Sequence, residues 1–126
     1  MSQNNNTKTI PRYARRNAIA DGMLVDVTSL ASNLGFPSPV AVTSAVWMDC
    51  IDAPEKDSHF ETERLRIVLC WLRTTLHAGR NPNPLHFTTL CENHPAGQVR
   101  VTLRAVCHAG DQGEPVLTIM YPDENL

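Results

Sequence analysis

Polar and apolar positions alternate most clearly near the C-terminal end. In residues 99–107, Val99, Val101, Leu103, Ala105 and Cys107 share one parity, and Arg100, Thr102 and Arg104 share the other. A period of two places one face on a core and the other towards solvent or a partner. A second β-branched run, 115–121, follows after Gly110-Asp111-Gln112-Gly113. The pair therefore predicts a β-hairpin with a longer loop. The run 85–91 predicts a further strand, giving a three-stranded meander, and the short run 23–27 predicts an edge strand that widens it.

Upstream the period changes to the helical one. Leu65, Val68, Leu69, Leu72 and Leu76 form a stripe over 58–77, with Phe60 near its start and Trp71 on the shoulder of the core. Ser58 and Glu61 have the spacing of a capping box, and Gly79 falls just past the end. Thr43 predicts an N-cap for a helix over 44–52 that buries Val46, Trp47, Cys50 and Ile51. Thr28 predicts the cap of a short helix ending at Gly35, and a further helix over 12–20 stops at Asp21-Gly22. Val40-Ala41-Val42 is apolar but brief. The expectation is an α+β fold, with N-terminal helices packed on a C-terminal antiparallel three- or four-stranded sheet. Residues 1–11 are Asn- and Thr-rich and predict a flexible polar tail ahead of one domain spanning 12–126.

Composition narrows the classes. A chain of 126 residues buries enough surface to fold without cross-links, and no apolar run approaches a membrane span. The expected compartment is the cytoplasm, where Cys50, Cys70, Cys91 and Cys107 are expected as reduced, packed thiols. The net charge of −2 conceals blocks: basic in 1–16, strongly acidic in 17–63, basic in 64–104 and acidic beyond. Such segregation points to partners chosen by charge.

Candidate chemistry is sparse. Cys91, His94, Cys107 and His108 lie near the ends of adjacent predicted strands, but their spacing matches no zinc motif. Asp111 and Glu114 put two carboxylates on a glycine-bearing loop, where a tight connection also calls for Gly and Asp. No P-loop, Gly-x-Ser-x-Gly or His-Glu-x-x-His is present, so no catalytic residue, resident metal or cofactor is assigned. Two binding sets remain. The acids Asp49, Asp52, Glu55, Asp57, Glu61 and Glu63 suit a basic channel on a protein or ribonucleoprotein partner. Arg100 and Arg104, on the outward parity of one strand, suit phosphates directly. A sheet edge or an apolar helix flank leaves a homodimer open.

Several blocks also carry a family likeness. They are Ala18 to Val27, then Pro39-Val40-Ala41-Val42-Thr43 with Val46-Trp47 and Asp49-Cys50, and Arg64-Leu65 with Val68-Leu69. The last block is Cys107-x-x-Gly110-Asp111-x-Gly113-Glu114-Pro115-Val116 with Thr118-Ile119-Met120 and Pro122-Asp123. The chain resembles a family of small bacterial proteins of unknown function carried mainly on plasmids and other mobile elements. It departs from that pattern at Arg66-Ile67. The resemblance implies no activity or cofactor. It implies a setting in which small proteins often block host defence, including restriction and CRISPR systems.

Overall fold

A computed structural model describes residues 14–53, 57–79, 82–91 and 98–125. The expected tail, Glu55 and His94 lie outside the described residues. The elements are α1 (Arg15–Ala20), β1 (Leu24–Asp26), α2 (Thr28–Asn33), β2 (Val40–Thr43) and α3 (Ser44–Val46), which widens into a π-helical turn over Trp47–Ile51. Then come α4 (Ser58–His77), β3 (Leu85–Cys91), β4 (Val99–Ala109) and β5 (Pro115–Met120). The fold is α+β, as expected, but the sheet has five strands in the order β1-β2-β5-β4-β3.

The sheet is mixed rather than purely antiparallel. β2 inserts between β1 and β5 and runs parallel to β5, with Ala41 opposite Thr118. All four of its residues are buried, which explains why the apolar run 40–42 shows no alternation. The other pairs are antiparallel, and β3 meets β4 with Thr88 opposite Thr102.

One face of the sheet carries the main core. Val40, Val42, Leu103 and Ile119 pack there against Leu65, Val68, Leu69 and Leu72 of α4. On the opposite face, Ala18 of α1 covers Leu24 and Ala41. Cys107 has the core parity yet is exposed, because β4 runs on past the covered part of the sheet.

Local signals hold with small shifts. Thr43 caps α3, its hydroxyl accepting from Val46 N–H at 3.3 Å. α4 is capped one residue earlier than the capping box predicts. Asp57 accepts from the N–H groups of His59 and Phe60, and Glu61 accepts from Ala53 N–H instead of closing the box. Likewise Thr28 is the first residue of α2 rather than its cap, and the Asp26 carboxylate takes its N–H at 3.1 Å. A carboxylate one or two residues upstream reaches the same free donors as a hydroxyl at the cap.

Two expectations are corrected. Cys50 and Cys91 are not free thiols but a disulfide, with Cα atoms 4.1 Å apart, tying the π-helical turn to the end of β3. Only Cys70 and Cys107 are free. Phe60, expected at the start of the core stripe, and Trp71, expected on its shoulder, are instead exposed at 54% and 47%. Eleven residues turn an α-helix to within about 20° of its starting direction, so the two share a strip well away from the core stripe.

Candidate functional site

The face of the sheet opposite α4 divides into a covered half and an open half. α1 and the C-terminal segment cover β1, β2 and β5. Val116, Thr118 and Met120 are buried there. Arg15 pins α1 in place: its guanidinium donates to Thr118 Oγ1 at 2.8 Å and to the Leu117 carbonyl at 2.9 Å. Burial pulls that guanidinium below its ordinary range, while Asp26, Asp111 and Glu114 act in the other direction. From the β4–β5 loop, the Asp111 carboxylate accepts from the N–H groups of Arg15 at 2.7 Å and Arg16 at 3.0 Å, capping α1 from a distant part of the chain. The Arg16 and Arg15 N–H bonds hold the Asp111 carboxyl below its ordinary range.

His108 joins the same network. Its Nδ1 lies 3.2 Å from the Ala109 carbonyl and its Nε2 2.8 Å from Thr118 Oγ1. A proton on Nδ1 leaves Nε2 to accept from the Thr118 hydroxyl, whose oxygen accepts from Arg15. Burial first, with Arg15 also contributing, pulls His108 below the ordinary histidine range against the opposing Ala109 hydrogen bond. A hydroxyl aimed at an imidazole is the first half of a nucleophile–base pair. At 1% exposure, however, Thr118 is sealed from any substrate, so these contacts hold α1 down.

The loop carboxylates do not converge. Asp111 faces α1, and Glu114 Oε1 accepts from Gln112 N–H at 2.9 Å, closing its own turn. Gly113 takes φ +83° in that turn, which a side chain would strain. Among the described residues no three His, Cys, Asp or Glu side chains group to hold a metal ion. The zinc candidates separate accordingly, with Cys91 in a disulfide and Cys107 exposed.

Most of the acidic set serves the fold. Asp49 accepts from the Tyr121 hydroxyl at 2.6 Å. Burial first, then that hydrogen bond, holds the phenol protonated well above its ordinary range. The Asp52 carbonyl accepts from Arg64, Asp57 caps α4, Glu61 ties back to Ala53, and Glu63 pairs with Arg66 at 3.8 Å. A depression of about 290 Å³ beside Leu34, Phe36, Arg73 and His77 sits at the C-terminal ends of α2 and α4. Its Arg73 already donates to the Leu34 carbonyl, satisfying a helix end rather than waiting for a ligand.

The open half is different. On β3 and β4 the outward parity presents His86, Thr88 and Leu90 beside Arg104, Thr102 and Arg100, in direct register. His86, Thr88, Arg100, Thr102 and His108 are exposed, and none of the outward-facing residues of these two strands is acidic. Arg104 is the less available arginine. It is half-buried, donates to the Glu124 carbonyl, and leaves its Nε buried without a partner. Arg16 of α1 is 77% exposed and lies 4.0 Å from the Asp111 carboxylate rather than on this face. Sequence parity found Arg100, but it missed His86 and the division of the face, the latter because it depends on where α1 docks. Compared with protein-family models, curated proteins and solved structures, the chain matches none.

Proposed function

We propose that this chain is a non-enzymatic interaction protein whose open β3–β4 face rests on the phosphate backbone of a nucleic acid. One observation carries the reading: an open sheet face with Arg100, His86 and two threonine hydroxyls and, among the described residues, no outward-facing carboxylate. Arginine forks and hydroxyls are the groups that contact phosphate oxygens, and such contacts position without reading sequence. The resemblance to plasmid-borne proteins supports a mobile-element setting in a bacterial host. There, occupying nucleic acid or its channel would blunt a defence complex of the anti-restriction or anti-CRISPR kind.

The test is fluorescence anisotropy with a labelled oligonucleotide duplex across a salt series. Two neutralised phosphates give about a 60-fold loss of affinity for each tenfold rise in salt. Arg100→Ala weakens binding about tenfold and lowers the salt slope by about one. No binding at low salt, or binding indifferent to Arg100→Ala, overturns the proposal.

A second reading is favoured by the exposure of Asp57 and Glu63 near the start of α4. These acids would dock in a basic channel of a nucleic-acid-handling complex. A low-salt pull-down from host lysate that recovers no such complex removes this reading.

A further inference from the structure

We propose that two copies of this chain join edge to edge along β3, so that the open basic face proposed above is doubled. The inference rests on that reading for its functional consequence, but not for its geometry. β3 is the last strand of the sheet, and among the described residues nothing pairs with its far side. It is seven residues long and contains neither charge nor proline: Leu85, His86, Phe87, Thr88, Thr89, Leu90, Cys91. Proteins that stay monomeric guard such an edge with lysine, proline, a bulge or a very short strand. The other edge, β1, has only three residues and carries Asp26. The guard is missing on one side only.

The occupant that fits is the same strand. A two-fold axis perpendicular to the sheet through Thr88 runs the strands antiparallel and keeps each face continuous. Thr88 then meets the partner's Thr88, Phe87 meets the partner's Thr89, and His86 meets the partner's Leu90. No pair opposes like charges, and Thr–Thr neighbours across strands are favourable.

A seven-residue edge alone falls short of the roughly 800 Å² per partner of a standard interface. The remainder lies beside it. α4 packs on the core side of β3. Its exposed Phe60 and Trp71, with half-buried Ile67 between them, share a strip of the helix away from its core stripe. The proposed dimer requires two such strips to meet across the paired edges, which is what a substitution at Trp71 tests. Exposed aromatics beside an unguarded edge are what an interface leaves visible in one copy.

The doubled face has a definite layout. Three strand spacings separate the two β4 strands, about 14 Å, and Arg100 and Arg104 are about 14 Å apart along one strand. Because β3 registers Arg100 with Leu90 and Arg104 with His86, Arg100 stands level with the partner's Arg104. Four arginines thus mark the corners of a square comparable with the ~12 Å major groove.

Self-association, measured with no nucleic acid present, tests this separately from the proposed function. Sedimentation of the full chain from about 1 to about 200 µM moves from the 14.0 kDa monomer towards twice that mass if the edges pair. Thr88 is exposed, so Thr88→Lys or Thr88→Glu leaves the core intact while placing like charges at the axis. Each variant alone stays monomeric, and mixing the two restores a one-to-one dimer. Trp71→Lys, on a different element, weakens association at least tenfold. A chain that remains monomeric throughout, or dimers unaffected by these variants, overturns the inference. Oligonucleotide binding by such a monomer would leave the proposed function standing.

Discussion

The disulfide is the structural feature most at odds with the composition, and its contribution can be worked out. Cys50 and Cys91 are 41 positions apart, so the bond closes a long loop in the unfolded chain. The chain-entropy relation gives about 13 cal/mol/K for such a loop, or about 4 kcal/mol at 25 °C. For a domain of this size that corresponds to a fall of about 15 °C in Tm on reduction. Both cysteines are essentially inaccessible, at 1% and 0% exposure, so a reductant acts only when the turn over Trp47–Ile51 opens. The assay is guanidinium denaturation with and without a phosphine reductant, paired with alkylation in denaturant before mass measurement. Without reductant, two of the four cysteines take up label, Cys70 and Cys107. Labelling of all four, or identical midpoints in the two conditions, would refute the cross-link and return Cys50 and Cys91 to packed thiols.

Two further outcomes follow from contacts of single residues. Asp57→Ala removes the acceptor for two N–H groups at the start of α4 and lowers stability by about 1 kcal/mol, whereas Ser58→Ala changes it little; urea midpoints compare the two. Docking of α1 weakens in acid, because the Asp111 carboxyl is held below its ordinary value of 3.8 and His108 below 6.5. The unfolded chain binds protons more readily at both sites, so stability is complete above pH 6.5. It declines as pH falls below that value, and again as pH falls from 3.8 through the lower native value of Asp111. Amide exchange of Ala18 and Ile19 follows the undocking, and Asp111→Asn abolishes the lower of the two steps.

Much of the candidate site was legible from parity alone. Arg100 and Arg104 stand on the outward face of β4, as the alternation requires, because a pleated strand leaves no other choice. What parity does not show is that Arg104 is bound back to the C-terminal segment while Arg100 is free to reach outward. Nor does it show that Asp111 is engaged by α1, since the two are nearly a hundred positions apart. The acidic block read as a patch because its members are close in sequence. In the fold they are spread among a cap, a tether, an ion pair and the partner of a half-buried phenol.

Local pattern determined the elements whose information is local. α4 runs from Ser58 to His77 and β3 from Leu85 to Cys91, as their periods predict, because burial of one stripe or one face imposes that period directly. Tertiary structure alone decided three things: that the short run at Val40 is a strand, that it lies parallel to β5, and that Cys50 meets Cys91. A four-residue, wholly buried strand has no alternation to read, and its hydrogen-bond partner lies 77 positions away. Non-local pairing is settled by which surfaces the whole chain must cover at once, and no window of neighbouring residues contains that constraint.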